Sequence, residues 1–363
     1  MKKLFTVALS AVLFLSACNK NSTNTSLNKL EKEPEVIKEI YYAPLSGTVV
    51  DEPINTEPIF AVMLNNHPKS LPQASLNEAE IVYEFKVEGT YTRFMALYQK
   101  NHPSIIGSVR SARPYFVNTA SEYNAIYSHW GGSDAGYAQI SKLNLKDLDG
   151  IYLEGSTYYR NKQVKKKAPH NGYTSYDLLY QAAGDKNFLD GYYHEDAFNF
   201  DTTSDLEKVK AQMKDRIATK LSLDFFHDYN MTFNYDDVND CYYLVRNGED
   251  VIDENDGSNV FCKNIIVEFA TSHVTGPKET LTIDHIGEGS GLLFTNGKFI
   301  DIKWSKDSET SKTIFKTLDD EDIVLSPGRT FIEVLDPNDN VIIEPIVENQ
   351  QTQETQNTPD NKN

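Results

Sequence analysis

SIIGSVRSARPYFVNTASEYNAIYSHWGGS, residues 104–133, is the stretch on which the fold turns. Its apolar start at 105–109 predicts a strand. Pro114 then opens a helix to about residue 123, because a first-turn residue has no helical N–H bond to lose. Residues 125–130 form a second strand, Gly131-Gly132 a turn, and 133–143 a second helix. Alternating strands and helices predict a mixed sheet with helices laid against it.

Moving outward, PIFAVML at 58–64 is an apolar run bounded by turn residues, hence a buried strand closed by Asn65-Asn66-His67-Pro68. Residues 72–75 lead into a short helix ending near Glu80. Two strands follow, 81–87 and 92–99, split by Glu88-Gly89-Thr90. In the first, Tyr83, Phe85 and Val87 alternate with Glu84, Lys86 and Glu88, the pattern of a strand with one face in solvent. Thr174 or Ser175 caps a helix over 176–183. Ser204-x-x-Glu207 is a capping box for a helix with Leu206, Val209, Met213 and Ile217 on one face. From Leu221 the text becomes short β segments separated by turns such as Asn247-Gly248, Asn296-Gly297 and Pro327-Gly328. The expectation is an α+β protein: an N-terminal mixed α/β domain (41–217), then a mostly antiparallel β-rich domain (218–346), with a disordered tail (347–363).

The N-terminus carries its own signal. Lys2 and Lys3 precede an apolar run at 4–15, too short to cross a bilayer comfortably. Leu15-Ser16-Ala17-Cys18 resembles the lipobox of bacterial lipoproteins. That resemblance implies removal of residues 1–17 and a diacylglycerol thioether on Cys18, with further acylation such as palmitate giving a stable anchor. Residues 18–40 are a polar spacer, which places the body at the extracytoplasmic face of the cell membrane. The net charge of −18 over 363 residues argues against nucleic acid as a partner. Cys241 and Cys262 fall in strand-like segments and are either a cross-strand disulfide or two buried thiols.

Cationic chemistry in so acidic a chain is local. Arg110 and Arg113 sit where a strand hands over to a helix, and guanidinium forks suit carboxylate or phosphate. Their structural alternative is pairing with Glu84, Glu88 or Glu122. Arg160, Lys162, Lys165, Lys166 and Lys167 form a basic run leading to Pro169-His170-Asn171-Gly172. Gly131-Gly132-Ser133-Asp134-Ala135 comes close to G-x-S-x-G, with His129 or His170 as candidate bases; its plainer reading makes Ser133 a helix cap. The histidines lack metal-ligand spacing, so no metal site is predicted, and no cofactor motif is present.

VEGTYTRFMALYQ (87–99), GSVRSARPYF (107–116), HWGGS (129–133), and Arg160 followed by KKAPHN (166–171) together resemble the YerB-like lipoproteins. NIIVEF, GEGSGLLFTNGK, Trp304 and LSPGRTFIEV extend the likeness to the C-terminal half. The body of that family is a domain of unknown function in two parts, so the resemblance implies no reaction. The leading expectation is therefore an anionic envelope ligand held by Arg110, Arg113, Arg160, His170 and Asn171. The alternatives are an envelope hydrolase or transferase using Ser133 or a histidine, and a tethered protein-interaction module.

Overall fold

The structure is a computed structural model that describes residues 39–345, except Asp215 and 276–279. The expected signal peptide (1–17), Cys18, nearly all of the expected spacer and the expected tail lie outside the described residues.

A ten-stranded sheet, a six-stranded sheet, four smaller sheets and four α-helices make up the described body. The strands used below are β1 (Phe60–Asn65), β2 (Ile81–Lys86), β3 (Thr92–Tyr98), β4 (Ile126–His129), β5 (Asp147–Asp149), β6 (Gly172–Thr174), β7 (Lys220–Phe226), β8 (Tyr229–Asp236), β9 (Cys241–Arg246), β10 (Asn264–Phe269), β11 (Gly287–Thr295), β12 (Lys298–Lys306), β13 (Ile314–Thr317), β14 (Thr330–Leu335) and β15 (Asn340–Glu344). The helices are α1 (Pro114–Glu122), α2 (Asp134–Leu143), α3 (Tyr176–Asp185) and α4 (Glu207–Met213). The main sheet has ten strands in the order β13-β12-β11-β10-β14-β2-β3-β1-β4-β5. A second sheet runs β9-β8-β7-β15, with Glu249–Asp250 on its outer edge.

Alternate residues of the central strands enter opposite cores. Phe60, Val62 and Leu64 join Leu223, Phe233 and Leu244 of the second sheet. Ala61 and Met63 instead join Phe116 and Val117 of α1 and Val209 and Met213 of α4. A sheet covered on both faces needs apolar side chains at every position, which is why PIFAVML reads as an unbroken run.

No break between compact units falls near residue 217, the boundary expected between the two halves. The described residues from Ile40 onward form one compact unit. β14 pairs in parallel with β2, Thr330 opposite Ile81 through Val334 opposite Phe85, and with β10 on its other side. Every residue of β14 is buried, so this apolar strand needs a neighbour on both edges, and the N-terminal half supplies one. The two halves differ in composition and share a sheet.

Three local expectations are corrected. All six residues of β2 are buried, so its alternation of Glu84 and Lys86 with aromatics does not mark a solvent face. Glu84 lies beneath the second sheet, accepting from Asn66 Nδ2 at 2.9 Å and Tyr229 Oη at 2.6 Å, and Lys86 is paired with Asp339 at 2.6 Å. The capping box at Ser204 is not formed, because the buried Asp201 carboxylate takes the N–H groups of Lys208 and Val209 at 2.7 and 3.0 Å. The helix ends at Met213, leaving Ile217 half-exposed beyond it. Cys241 and Cys262 are buried free thiols.

Candidate functional site

Three crossings of the chain are stitched together beside the end of β1. Asn65 N–H donates to Ser108 O at 2.8 Å and Arg110 N–H to Met63 O at 2.9 Å. Val109 N–H reaches Gly172 O at 2.7 Å, at the start of β6, and Gly172 is in register with Arg160. Trp130 N–H closes on Arg110 O at 2.9 Å. Backbone pairing therefore gathers Arg110, Arg160, His170 and Asn171 from distant parts of the chain, together with the Asn-Asn-His turn.

Asn65 fixes the chemistry of the histidines. Its Oδ1 accepts the His67 N–H at 3.1 Å, so its Nδ2 is the donor to His170 Nδ1 at 2.9 Å. An imidazole whose Nδ1 accepts carries its proton on Nε2 when neutral. His67 is set the same way, with Nδ1 accepting Lys69 N–H at 3.0 Å. The two rings stand 4.6 Å apart, and Tyr91 packs on His67 at 4.5 Å. Partial burial, then the neighbouring His67 and Arg110, pull His170 down to about 4, and burial with Lys69 and Arg110 lowers His67. At neutral pH both rings are uncharged Nε2–H donors.

The arginines divide. Arg113 forms a fork on Glu88, with Nη2 at 2.7 Å from Oε2 and Nε on Oε1, while Nη1 holds Ala112 O at 2.6 Å. Arg93 approaches the same carboxylate at 3.9 Å and donates to Ser111 O at 2.8 Å. Arg113 therefore leaves the expected clamp, because Glu88 already satisfies its fork. Arg110 has no such partner. It is part-buried, its Nε is buried without a hydrogen bond, and among the described residues no carboxylate lies within ion-pairing distance. Burial, Arg113 and Arg160 all weigh against its charge. Arg160 lies flat over Trp130 at 3.9 Å with Nε 3.4 Å from Glu154, and the Asn171 Oδ1 is buried without a partner. Of the basic run, Lys166 is tied to Glu254 at 2.9 Å, while Lys162, Lys165 and Lys167 are exposed.

Ser133 is a cap. Its hydroxyl accepts Gly136 N–H at 3.1 Å at the start of α2, and no hydrogen bond joins it to a histidine among the described residues. His129 is fully buried with Nδ1 on Gly131 O at 2.8 Å and Nε2 on Asp147 at 3.2 Å. With both ring nitrogens engaged, it is not placed to take a proton from Ser133, and the serine-hydrolase arrangement is not formed.

His67 and Asn65 are the residues that reading the sequence missed, since Asn-Asn-His-Pro passes for an ordinary strand-closing turn. Its one distinguishing signal is density: three hydrogen-bonding side chains in succession directly after a fully apolar strand.

Two family descriptions match the chain: "Protein of unknown function (DUF3048) N-terminal domain" over residues 45–189 and its C-terminal domain over 221–332. "Putative lipoprotein YerB" of Bacillus subtilis is 31% identical over 343 residues, covering 92% of this chain and 96% of that protein. The chain belongs to the YerB-like family. The crystal structure of the YerB protein from Bacillus subtilis matches with a TM-score of 0.73 at 29% identity, covering 83% of this chain and 99% of that one. In YerB-like terms, the corner spans segments that lie within the N-terminal family domain, Asn65 through Gly172.

Proposed function

We propose that this YerB-like protein is lipid-anchored through Cys18 at the extracytoplasmic face of the membrane and binds an anionic group of the cell envelope at the Arg110 corner. Support for the anchor comes from the basic, apolar and Leu-Ser-Ala-Cys parts of the N-terminus and from the name of its Bacillus relative. Replacing Cys18 with Ser abolishes labelling by a palmitate probe; a still-labelled variant refutes the anchor.

The observation that carries the ligand is the uncompensated Arg110. A part-buried guanidinium without a counter-ion is a ready partner for a phosphate or carboxylate at its free edge. Arg160 adds a second charge, and the neutral His67 and His170 add Nε2–H donors. Because Arg160 lies on Trp130, a ligand engaging it changes the indole emission. Titrating purified protein with inorganic phosphate, glycerol phosphate and citrate gives a saturable change, and Arg110→Ala weakens it at least about tenfold. Equal affinity in Arg110→Ala, or no saturable response to any of the three, refutes the reading.

A further inference from the structure

The seam that joins the two halves carries a pair of acids. Glu333 of β14 stands in register with Glu84 of β2, on the adjoining parallel strand. Both side chains are fully buried, and their carboxyl groups are in hydrogen-bonding contact. Glu84 Oε1 is well supplied with donors: Asn66 Nδ2 at 2.9 Å, Tyr229 Oη at 2.6 Å and Thr92 Oγ1. Glu84 Oε2 and both Glu333 oxygens receive no hydrogen from any other described residue. Two touching carboxylates would leave those oxygens bare and set two negative charges side by side in the interior. A single proton between them removes both costs, because a protonated carboxyl is itself a donor.

The donors decide which carboxyl holds it. Three hydrogen bonds favour the ionised form of Glu84, and Arg246 adds its attraction from beyond Asn66 Oδ1, to which it donates at 2.9 Å. Glu333 has no such support. Burial and then the Glu84 charge push its carboxyl well above the ordinary glutamate range. Two further ionisable groups face the pair, the Tyr229 hydroxyl and the Cys262 thiol, and burial holds both in their neutral forms. Glu268, on the next strand, lies instead beside Glu122.

From Glu84 the network enters the Asn-Asn-His turn. Asn66 Nδ2 is held by Glu84, Thr92 and Tyr229, which pins the middle of the turn to the face covered by the second sheet. Its neighbours on either side are the working residues of the corner. Asn65 carries the His170 ring, and His67 stacks against that ring. The state of the acid pair therefore reaches both histidines through one amide.

We propose that Glu333 carries a proton in the folded protein, hydrogen-bonds with it to Glu84 Oε2, and through Glu84 and Asn66 positions the turn that presents His67 and His170 at the Arg110 corner. The consequence for binding rests on the anion reading above; the shared proton does not. Glu333 is a positioning residue, since it acts only through Glu84. When alkaline pH removes the proton, a second buried charge repels Glu84, Asn66 loses its anchor and the corner loosens.

The test uses full-length protein labelled at the glutamate carboxyl carbons and followed by NMR at about pH 7. The resonance missing from Glu333→Gln sits at the position of a neutral carboxylic acid; a resonance at the carboxylate position overturns the proposal. The turn is read from the His170 ring and from the response to inorganic phosphate. Glu333→Gln, whose amide N–H replaces the acid hydrogen, keeps His170 at about 4 and phosphate affinity within about twofold of wild type. Glu333→Met, similar in length and without a donor, moves His170 toward the ordinary 6.5 and weakens phosphate about tenfold. A folded Glu333→Met with both readouts unchanged overturns the positioning role. Should that variant not fold, pH performs the same removal on the wild type. Between about pH 8 and about pH 10, where phosphate stays a dianion, the wild type loses affinity and Glu333→Gln keeps it; parallel profiles overturn the proposal. Absence of a phosphate response in every variant refutes the anion reading instead, and the carboxyl and His170 signals still decide this one.

Discussion

Two buried polar clusters flank the main sheet, and they are built in opposite ways. On the helix face, Glu122 of α1 accepts from Tyr83 Oη at 3.0 Å, Thr313 N at 3.1 Å and Thr313 Oγ1 at 2.8 Å, and pairs with Lys306 of β12. Lys306 also donates to Ser311 O. Each of these groups has a partner, and the cluster fastens a helix to a hairpin. Around the Asn-Asn-His turn the count is different: Arg110 Nε, Asn171 Oδ1 and Gln73 Oε1 are buried without partners. Native interiors rarely leave such groups unmatched, and their presence at this turn sets it apart from the cluster around Glu122. A closed cluster serves the fold; an open one is available for binding.

The contrast breaks most visibly if the closed cluster is opened. Lys306→Met strands Glu122 without its counter-ion and lowers stability by about 3–5 kcal/mol in urea titration; a loss near zero would show that the cluster fastens nothing. Glu268, buried beside it, is the next lever. Burial and the Glu122 charge push its carboxyl up to about 8, against 4.5 for an ordinary glutamate. Between those values the unfolded chain releases a proton that the folded protein keeps, so stability falls as pH rises through the interval. Glu268→Gln flattens that fall by roughly 3 kcal/mol between about pH 5 and about pH 8, measured by urea titration at both; a variant that keeps the wild-type slope assigns the effect elsewhere.

The two neighbouring arginines repeat the contrast at shorter range. Arg113→Ala removes the fork on Glu88 and costs about 2 kcal/mol of stability. Arg110→Ala changes stability by less than about 0.5 kcal/mol and loses the anion response. Reversal of that pattern would mean the clamp had been assigned to the wrong residue. The smallest effect belongs to Ser133→Ala, which removes a helix cap worth about 1 kcal/mol and leaves the anion response intact. Loss of the response with stability unchanged would restore Ser133 to the site.

Much of this could be read from local text. The proline at the start of α1, the Gly-Gly turn before α2 and the apolar β1 each specify their element through neighbours a few residues away, and the structure places them where the sequence predicts. Arg110, Arg160, His170 and Asn171 were found because cationic and polar residues stand out in an acidic chain. What stayed hidden depends on contacts between remote segments. The pairing of β14 with β2 joins positions such as Thr330 and Ile81, which no periodicity connects. Glu84 looks solvent-facing because a period-two pattern cannot tell water from a second sheet that covers the face and supplies Tyr229. His67 looks like turn punctuation until Asn65 and His170 are seen beside it.

The central claim is that the Arg110 corner takes an anion, and His170 reports on it directly. Followed by NMR, the ring is expected to titrate at about 4 in the free protein, where burial, His67 and Arg110 hold it down. Inorganic phosphate raises it in the wild type, because an anion beside the ring favours the protonated form, and leaves it unmoved in Arg110→Ala. A wild-type His170 that titrates identically with and without phosphate would contradict the account.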